Sequence, residues 1–424
     1  MSLARGLVDL RPLRTSAPFA RLWAGTSLSA IGAQITTVAV LYQVWEMTHS
    51  PLWTGAIGLA HAIPMIVCGL WGGTLADTMD RRTLVRWTTT GQIVAVLGLA
   101  GQALAGVESL PLLLGLVAVV AGCGALGAPA RRTFPTRLLP RDQVAAGIAL
   151  QLMSFHVAML VGPALGGLLI AEWGLAVCYL VDAVAVCAGL VGVLGLPPLP
   201  PLGDTGPARG LRAIADGLTL IRRRPVLHGS CLTDLIATVL AMPISLFPMI
   251  NEIRFGGDPR TLGWFLSAVA VGGVTASLLS GYTTRARRLG AVQLGAATVW
   301  GVGLTGFGLA GPLWLALACL ALAGAADTVS VTSRGATIQL ATPDSHLGRV
   351  SSVEHVIGVA GPNLGNFRGG VVAGLTSAPV ALASGGILCV VGVLAVAATN
   401  RPLRRFTLAD GELVASGAGA DGDR

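Results

Sequence analysis

Three aspartates stand inside runs of apolar residues: Asp182 in "YLVDAVAV", Asp234 in "CLTDLIATVL" and Asp327 in "AGAADTVSV". Ionisable groups are costly in such settings and are usually functional. Desolvation raises an aspartate's pKa toward neutrality, which suits a group that takes up and releases a proton. The bland alternative, for Asp182 and Asp327, is a structural bridge to an arginine such as Arg334. Glu354, beside His355 near the start of a later apolar run, is a further acid of this kind or simply an interfacial group. His156 could titrate near physiological pH, or be no more than a hydrogen-bonded helix residue. Arg368 lies deep in its run, where an arginine costs roughly 2.5–3.5 kcal/mol on insertion scales, so it needs a carboxylate or an anionic ligand. Arg368, Asn366, Arg334, His156 and Gln34 form the candidate polar lining of a substrate cavity.

A second concentration of charge lies in "GGTLADTMDRRTLV", Gly72 to Val85. Gly72 and Gly73 would let helices approach closely. Asp77 ends an apolar run and could accept charge-assisted hydrogen bonds from an arginine or from helix N-terminal amides. With Asp80, Arg81 and Arg82 on the following turn, this is a latch that forms when one face is closed and parts when it opens. The alternative is a solvated turn with topology-setting arginines. Asp77 favours the latch and Arg86 favours the plain turn.

The elements that must carry these residues are membrane spans. Of 424 residues 53% are hydrophobic and 11% charged, with a mean hydropathy of +0.75. A soluble domain carries about 25% charged residues, so this chain cannot cover a water-soluble body. Twelve apolar runs are long enough to span, near 20–45, 53–76, 85–105, 110–130, 145–171, 174–196, 226–250, 261–283, 289–310, 313–333, 351–375 and 378–398. The first is too long for a signal peptide and stays in place. The expected division is a cytoplasmic N-terminal segment (1–19), a six-helix bundle (20–197), a cytoplasmic linker (198–225), a second six-helix bundle (226–400) and a cytoplasmic tail (401–424). In the linker, Leu211, Ile214, Ala215, Leu218 and Ile221 recur at helical spacing, which predicts an amphipathic helix on the cytoplasmic membrane surface.

The net charge of +8 comes from arginine alone, since the chain has no lysine. With both termini cytoplasmic, every arginine except Arg254, Arg260 and Arg368 falls on the cytoplasmic side, as the positive-inside rule requires. The basic charge is therefore a topology signal and implies no nucleic acid. Without a lysine there can be no P-loop. No H-E-x-x-H, no G-x-S-x-G and no Cys or His ligand cluster is present, which argues against an enzyme, a metal site or a cofactor. The seven cysteines are scattered singly in apolar runs and read as small buried hydrophobes.

The two halves echo one another. "GPALGG" at Gly162–Gly167 recurs as "GPNLGN" at Gly361–Asn366, about 200 residues on. "RRTFPTRLLPRD" from Arg131 is answered by "RGATIQLATPD" from Arg334, and the Gly72 motif by "GYTTRARR" at Gly281–Arg288. Parallel six-helix repeats enclosing a midplane site are a transporter design.

On these residues the chain resembles the major facilitator superfamily. Gly73-x-x-x-Asp77-x-x-Asp80-Arg81-Arg82 is similar to its loop-2/3 signature, and Gly162-Pro163-x-x-Gly166-Gly167 to the fifth-helix motif of its antiporters. "FARLWAGTSLSAIGAQIT", "GAPARRTFPTRLLPRDQVAAGIAL" and "TPDSHLGRVSSV", among other stretches, resemble the branch holding the enterobactin exporter and macrolide-efflux proteins. The resemblance implies an all-α polytopic fold with twelve transmembrane helices in two pseudo-symmetric bundles. It implies a gate at the Asp77 loop and a fifth helix that seals against proton leak. It further implies proton-coupled export of an amphiphilic small molecule from a bacterial cytoplasm across the inner membrane, by a monomer without a cofactor. The alternatives are an uptake symporter, which the antiporter-like motif disfavours, and a non-transporting receptor or scaffold. Asn366 and Arg368 depart from the branch, whose members have acids around this stretch. That tells against proton coupling through the eleventh span and tilts the cargo toward an anion.

Overall fold

A computed structural model describes residues 9–200, 210–279, 287–343, 346–408 and 410, with side chains of the linker helix from Ala215. Gly281–Ala286 of the second loop motif and most of the expected tail lie outside the described residues.

Among the described residues the regular structure is helical. In chain order the longer helices are α1 (Ala17–Thr48), α2 (Pro51–Thr78), α3 (Arg81–Leu104), α4 (Leu110–Arg132), α5 (Val144–Trp173), α6 (Leu175–Leu194) and α7 (Gly210–Arg223). After these come α8 (Pro225–Ala241), α9 (Phe247–Phe255), α10 (Pro259–Leu278), α11 (Leu289–Leu309), α12 (Leu313–Ala341), α13 (Leu347–Leu375) and α14 (Ala378–Thr399). Ten stretches of helix are long and apolar enough to cross a membrane. Helices α3 and α13 are of comparable length, but α3 begins with Arg81, Arg82 and Arg86, and α13 carries Arg349, Glu354, His355 and Arg368. Large apolar side chains face outward along the helices, among them Leu278 and Leu375, and tryptophans lie exposed near helix ends, as Trp87, Trp173 and Trp314 do. Outward apolar surface of this extent is what lipid, rather than water, stabilises.

Helix ends follow local chemistry. Ser16 caps α1 by accepting from the Phe19 N–H at 3.3 Å, and Ser377 caps α14 through Val380 at 3.4 Å. Gly174, in the left-handed region at φ +81, separates α5 from α6 without a steric penalty. The run at 226–250 is broken rather than continuous. Pro243 has no N–H to offer the preceding turn, so α8 stops at Ala241 and a 3₁₀ turn at Ile244–Leu246 leads into α9.

Contacts divide the chain into two compact units. One holds Met1–His49, Ala60–Ala208 and Gly257–Ser267; the other holds Ser50–Leu59, Arg209–Gly256 and Ala268–Arg424. The first turns of α2 and of α10 therefore each belong to the opposite unit from the rest of their helix. In the first unit a core of Leu22, Leu84, Val85, Ala130, Phe134, Val193 and Leu199 joins the helix ends beside the Asp80 turn. In the second, Ile221, Leu227, Cys231, Ile338, Val350, Val353 and Phe406 form a core. The linker helix α7 rests on protein at its C-terminal end, while Ala215 and Leu218 of its apolar face are exposed and the side chains of Leu211 and Ile214 lie outside the described residues. Ile221 is buried against protein, Asp216 lies 3.5 Å from Arg349, and a Cβ at Gly217 would overlap the Arg349 carbonyl.

Candidate functional site

The second unit gathers most of the ionisable candidates. Arg334 on α12 forms an ion pair with Asp234 on α8, and its Nε lies 3.5 Å from Glu354 Oε1 on α13. The pair is nearly closed to solvent, the side chains being 10% and 11% exposed. Asp327, two turns before Arg334 on the same helix, lies within electrostatic reach of both Asp234 and Arg334. Its side chain is on an open face, not a buried one. One Asp234 oxygen, Oδ2, is buried with no hydrogen-bond partner among the described residues. Three acids around one arginine leave more negative than positive charge in the cluster.

Among the described residues Asp182 joins no arginine. It is 2% exposed in the first unit, and its Oδ2 accepts a hydrogen bond from the Thr36 hydroxyl at 2.6 Å, while Oδ1 has no partner among those residues. Gly32 on α1 makes room for it, since a Cβ there would stand 2.5 Å from Oδ1. The bridge between Asp182 or Asp327 and Arg334 is replaced by the bridge to Asp234 and Glu354.

Among the described residues no carboxylate forms an ion pair with Arg368. Its guanidinium donates to the Leu240 carbonyl. The break at Met242-Pro243 releases that carbonyl from the helical ladder, and the C-terminal end of α8 carries partial negative charge. Asn366 serves the same break: its Oδ1 accepts from the Ser245 N–H at 3.1 Å, and its carbonyl from the Ser245 hydroxyl at 2.8 Å. These two departures from the family pattern hold the 3₁₀ turn to α13. His156 is half-buried with its ring edge-on to Phe155, and Gln34 packs against Gly162, both in the first unit.

In the loop motif Asp80, not Asp77, is the engaged acid. Its Oδ1 accepts from Thr83 N–H at 2.9 Å as the N-cap of α3, and its Oδ2 accepts from Leu199 N–H at 2.6 Å. Burial pushes the Asp80 carboxyl up, but these N–H bonds outweigh it and leave the group below the usual carboxylate range. Asp77 is exposed, with no hydrogen bond or ion pair among the described residues. Arg82 donates to the Leu194 carbonyl at 2.9 Å and Arg81 to that of Ala76 at 3.5 Å, so both meet main chain rather than the expected carboxylates. Only the first of the two glycines is tight: a Cβ at Gly72 would lie 2.8 Å from the Leu126 carbonyl, whereas nothing approaches Gly73.

The repeated Gly-Pro motif is used twice in the same way. Gly162 and Gly166 set α5 against α1 at Ile31, Gln34 and Ile35; Gly361 and Gly365 set α13 against α8 at Thr238. Pro163 and Pro362 both lie inside continuous helices. Gly167 meets the first residues of α10 at Pro259 and Arg260, and the Pro163 carbonyl meets Gly263. An echo missed in the sequence completes the pattern: Pro51-x-x-x-Gly55 and Pro259-x-x-x-Gly263 open α2 and α10, and Gly55 packs on the Asn366 carbonyl of α13. Proline at the first helical position followed by glycine one turn later was the available signal.

Paired helical units, glycine-faced crossings and buried charges on several spans define a polytopic membrane transporter. The chain belongs to the transmembrane secretion effector family of the major facilitator superfamily, whose model matches residues 8–412. It is 30% identical over 372 residues to the multidrug efflux pump Tap of Mycolicibacterium fortuitum, covering 84% of this chain and 88% of that one. It is 28% identical over 418 residues to the enterobactin exporter EntS of Escherichia coli O6:K15:H31 (strain 536 / UPEC), covering 97% and 99%. Among solved structures it shares its fold with a bacterial homologue of the human lysosomal transporter Spinster in an inward-facing, unoccupied conformation (TM-score 0.70, 18% identity, 94% and 98% covered). A second is the peptide transporter POT (TM-score 0.75, 12% identity, 92% and 96% covered). The chain is a multi-pass membrane protein and a transporter of small molecules outward, not an enzyme.

Proposed function

We propose that the chain is a secondary active exporter that carries an amphiphilic small molecule, siderophore-like or antibiotic-like, out of a bacterial cytoplasm by alternating access and in exchange for protons. In this reading α3 and α13 cross the membrane with the ten more apolar stretches, giving twelve spans, cytoplasmic termini and a monomeric unit. The cargo class rests on the names of the relatives, an enterobactin exporter and a multidrug efflux pump.

The observation that supports proton exchange best is the acid-rich cluster of Asp234, Glu354 and Asp327 around the single guanidinium of Arg334. Protonation of Asp234 would release Arg334 to Glu354 alone and loosen α8 from α12. Such a change of partners can bias two arrangements of packed helices. Asp77, exposed here, would take up its latch contacts in the opposite arrangement.

The test uses inside-out membrane vesicles from cells with and without the chain, given the small-molecule extract of the host bacterium. With an acid interior, mass spectrometry should find at least one amphiphile accumulated only in vesicles that carry the chain. Collapse of the pH gradient should abolish it. Accumulation of no compound, or accumulation untouched by the gradient, would count against the proposal.

A further inference from the structure

Arg131 was counted in the sequence among the topology-setting arginines, and α4 does end on it: a cation in the last turn is favourable on dipole grounds alone. Its side chain does not behave as a solvated terminal cation. It folds back along its own helix, so that the guanidinium occupies the space a side chain at Gly127 would need, beside the Thr88 hydroxyl. There Nε and Nη2 have no exposed surface and no hydrogen-bond partner among the described residues. No carboxylate forms an ion pair with it among them.

Arg131 lines a cavity of about 410 Å³ inside the first unit, walled by α1, α3, α4, α5 and α6. Arg132, an exposed residue, lines the same end and forms no ion pair among the described residues. Polar side chains continue along the wall: Gln92, Gln151 and the hydrogen-bonded pair Ser27 and Ser154, 2.8 Å apart. Asp182 lines the cavity as well, eleven residues of α6 from Val193 at the Arg131 end, or roughly 16 Å of helix. Orphaned guanidinium donors inside a protein cost more than almost any other unmade hydrogen bond. Nε and Nη2 are closed off, so an oxyanion in the cavity would meet the remaining nitrogen, Nη1; a guanidinium N–H at one end of an amphipathic cavity is a complement of a carboxylate, sulfonate or phosphate.

We propose that this cavity is a cargo subsite in which Arg131 anchors an oxyanion of the transported molecule. Gln92, Gln151 and the serine pair take its neutral polar groups, and Asp182 receives a donor at the far end. The reading rests on the export proposal only in naming the ligand as cargo. The same chemistry would also hold a lipid phosphate.

The test is an equilibrium binding measurement, independent of transport and of protons. The full chain is reconstituted in nanodiscs of phosphatidylcholine and titrated with naphthalene-2-sulfonate and with its neutral analogue naphthalene-2-sulfonamide. The sulfonate should bind at least about ten-fold more tightly, the range of a charged hydrogen bond. Arg131→Gln should erase that preference and leave sulfonamide binding unchanged. Gly127→Leu keeps the charge but fills the guanidinium's place, and should erase it too, which guards against a fold defect peculiar to the arginine variant. Arg86→Gln, at an exposed arginine of the α3 start, should leave the preference intact. Equal binding of the two probes by the unaltered chain, or a preference that survives both Arg131→Gln and Gly127→Leu, overturns the proposal. Suppression of sulfonate binding in phosphatidylglycerol nanodiscs would assign the site to lipid headgroups and overturn the cargo reading.

Discussion

Asp77 and Asp80 are three residues apart, yet one is exposed without a contact and the other ties the start of α3 to Leu199. Because bound N–H groups hold the Asp80 pKa below its unfolded value, its contribution is present above the unfolded pKa of about 3.8 and disappears as pH falls through the lower folded value. Asp80→Ala should therefore cost about 0.5–2 kcal/mol at pH 7, the range for an N-cap. Thermal unfolding in detergent should show that deficit at pH 7 and a shrinking one below about pH 4. A constant deficit would mean that Asp80 acts through packing alone. The Arg334 cluster makes a sharper case. Arg334→Gln strands Asp234 in a nearly closed site, a loss of about 3–5 kcal/mol for a broken buried pair. The double change Arg334→Gln with Asp234→Asn should recover much of the folded yield measured by size-exclusion chromatography. No recovery would show that the two side chains are not each other's main partners.

At the scale of elements, the repeated crossings of α5 on α1 and α13 on α8 depend on glycine at fixed positions. Adding side chains there should not be neutral. Gly365→Val drives a Cβ into the Thr238 carbonyl, whereas Gly358→Val, two turns earlier on the same face with nothing near it, should be tolerated. Overpacking of this kind costs about 1–3 kcal/mol or more, which a fluorescence-monitored thermal melt would read as a lower midpoint for Gly365→Val only. The Gly-Pro repeats announced these crossings in the sequence because small residues at helical spacing have one common use. The break after α8 was not read, since an apolar run with a single proline looks like a kinked span; the partner that stabilises the break, Arg368, lies 128 residues away. The docking of α7 was likewise hidden. An amphipathic period reports an apolar face, and lipid and protein satisfy it equally.

For the whole molecule, apolar runs and one-sided arginines made the class and spans legible, because the bilayer imposes both on any sequence. Pairings of charges were not, since they depend on which helices become neighbours. Asp182 found Thr36, Arg334 found Asp234, and Arg131 turned into the protein where the charge pattern alone placed it in a solvated cytoplasmic loop. The account centres on exchange of protons through Asp234. It is tested most directly by reconstituting the unaltered chain and Asp234→Asn in liposomes with the cargo found in the vesicle screen. Glu354 remains to pair with Arg334 in the variant, so the protein should fold. Asp234→Asn should lose transport driven by a pH gradient yet keep cargo exchange across the membrane without one. Gradient-driven transport at the normal rate in that variant would contradict the account.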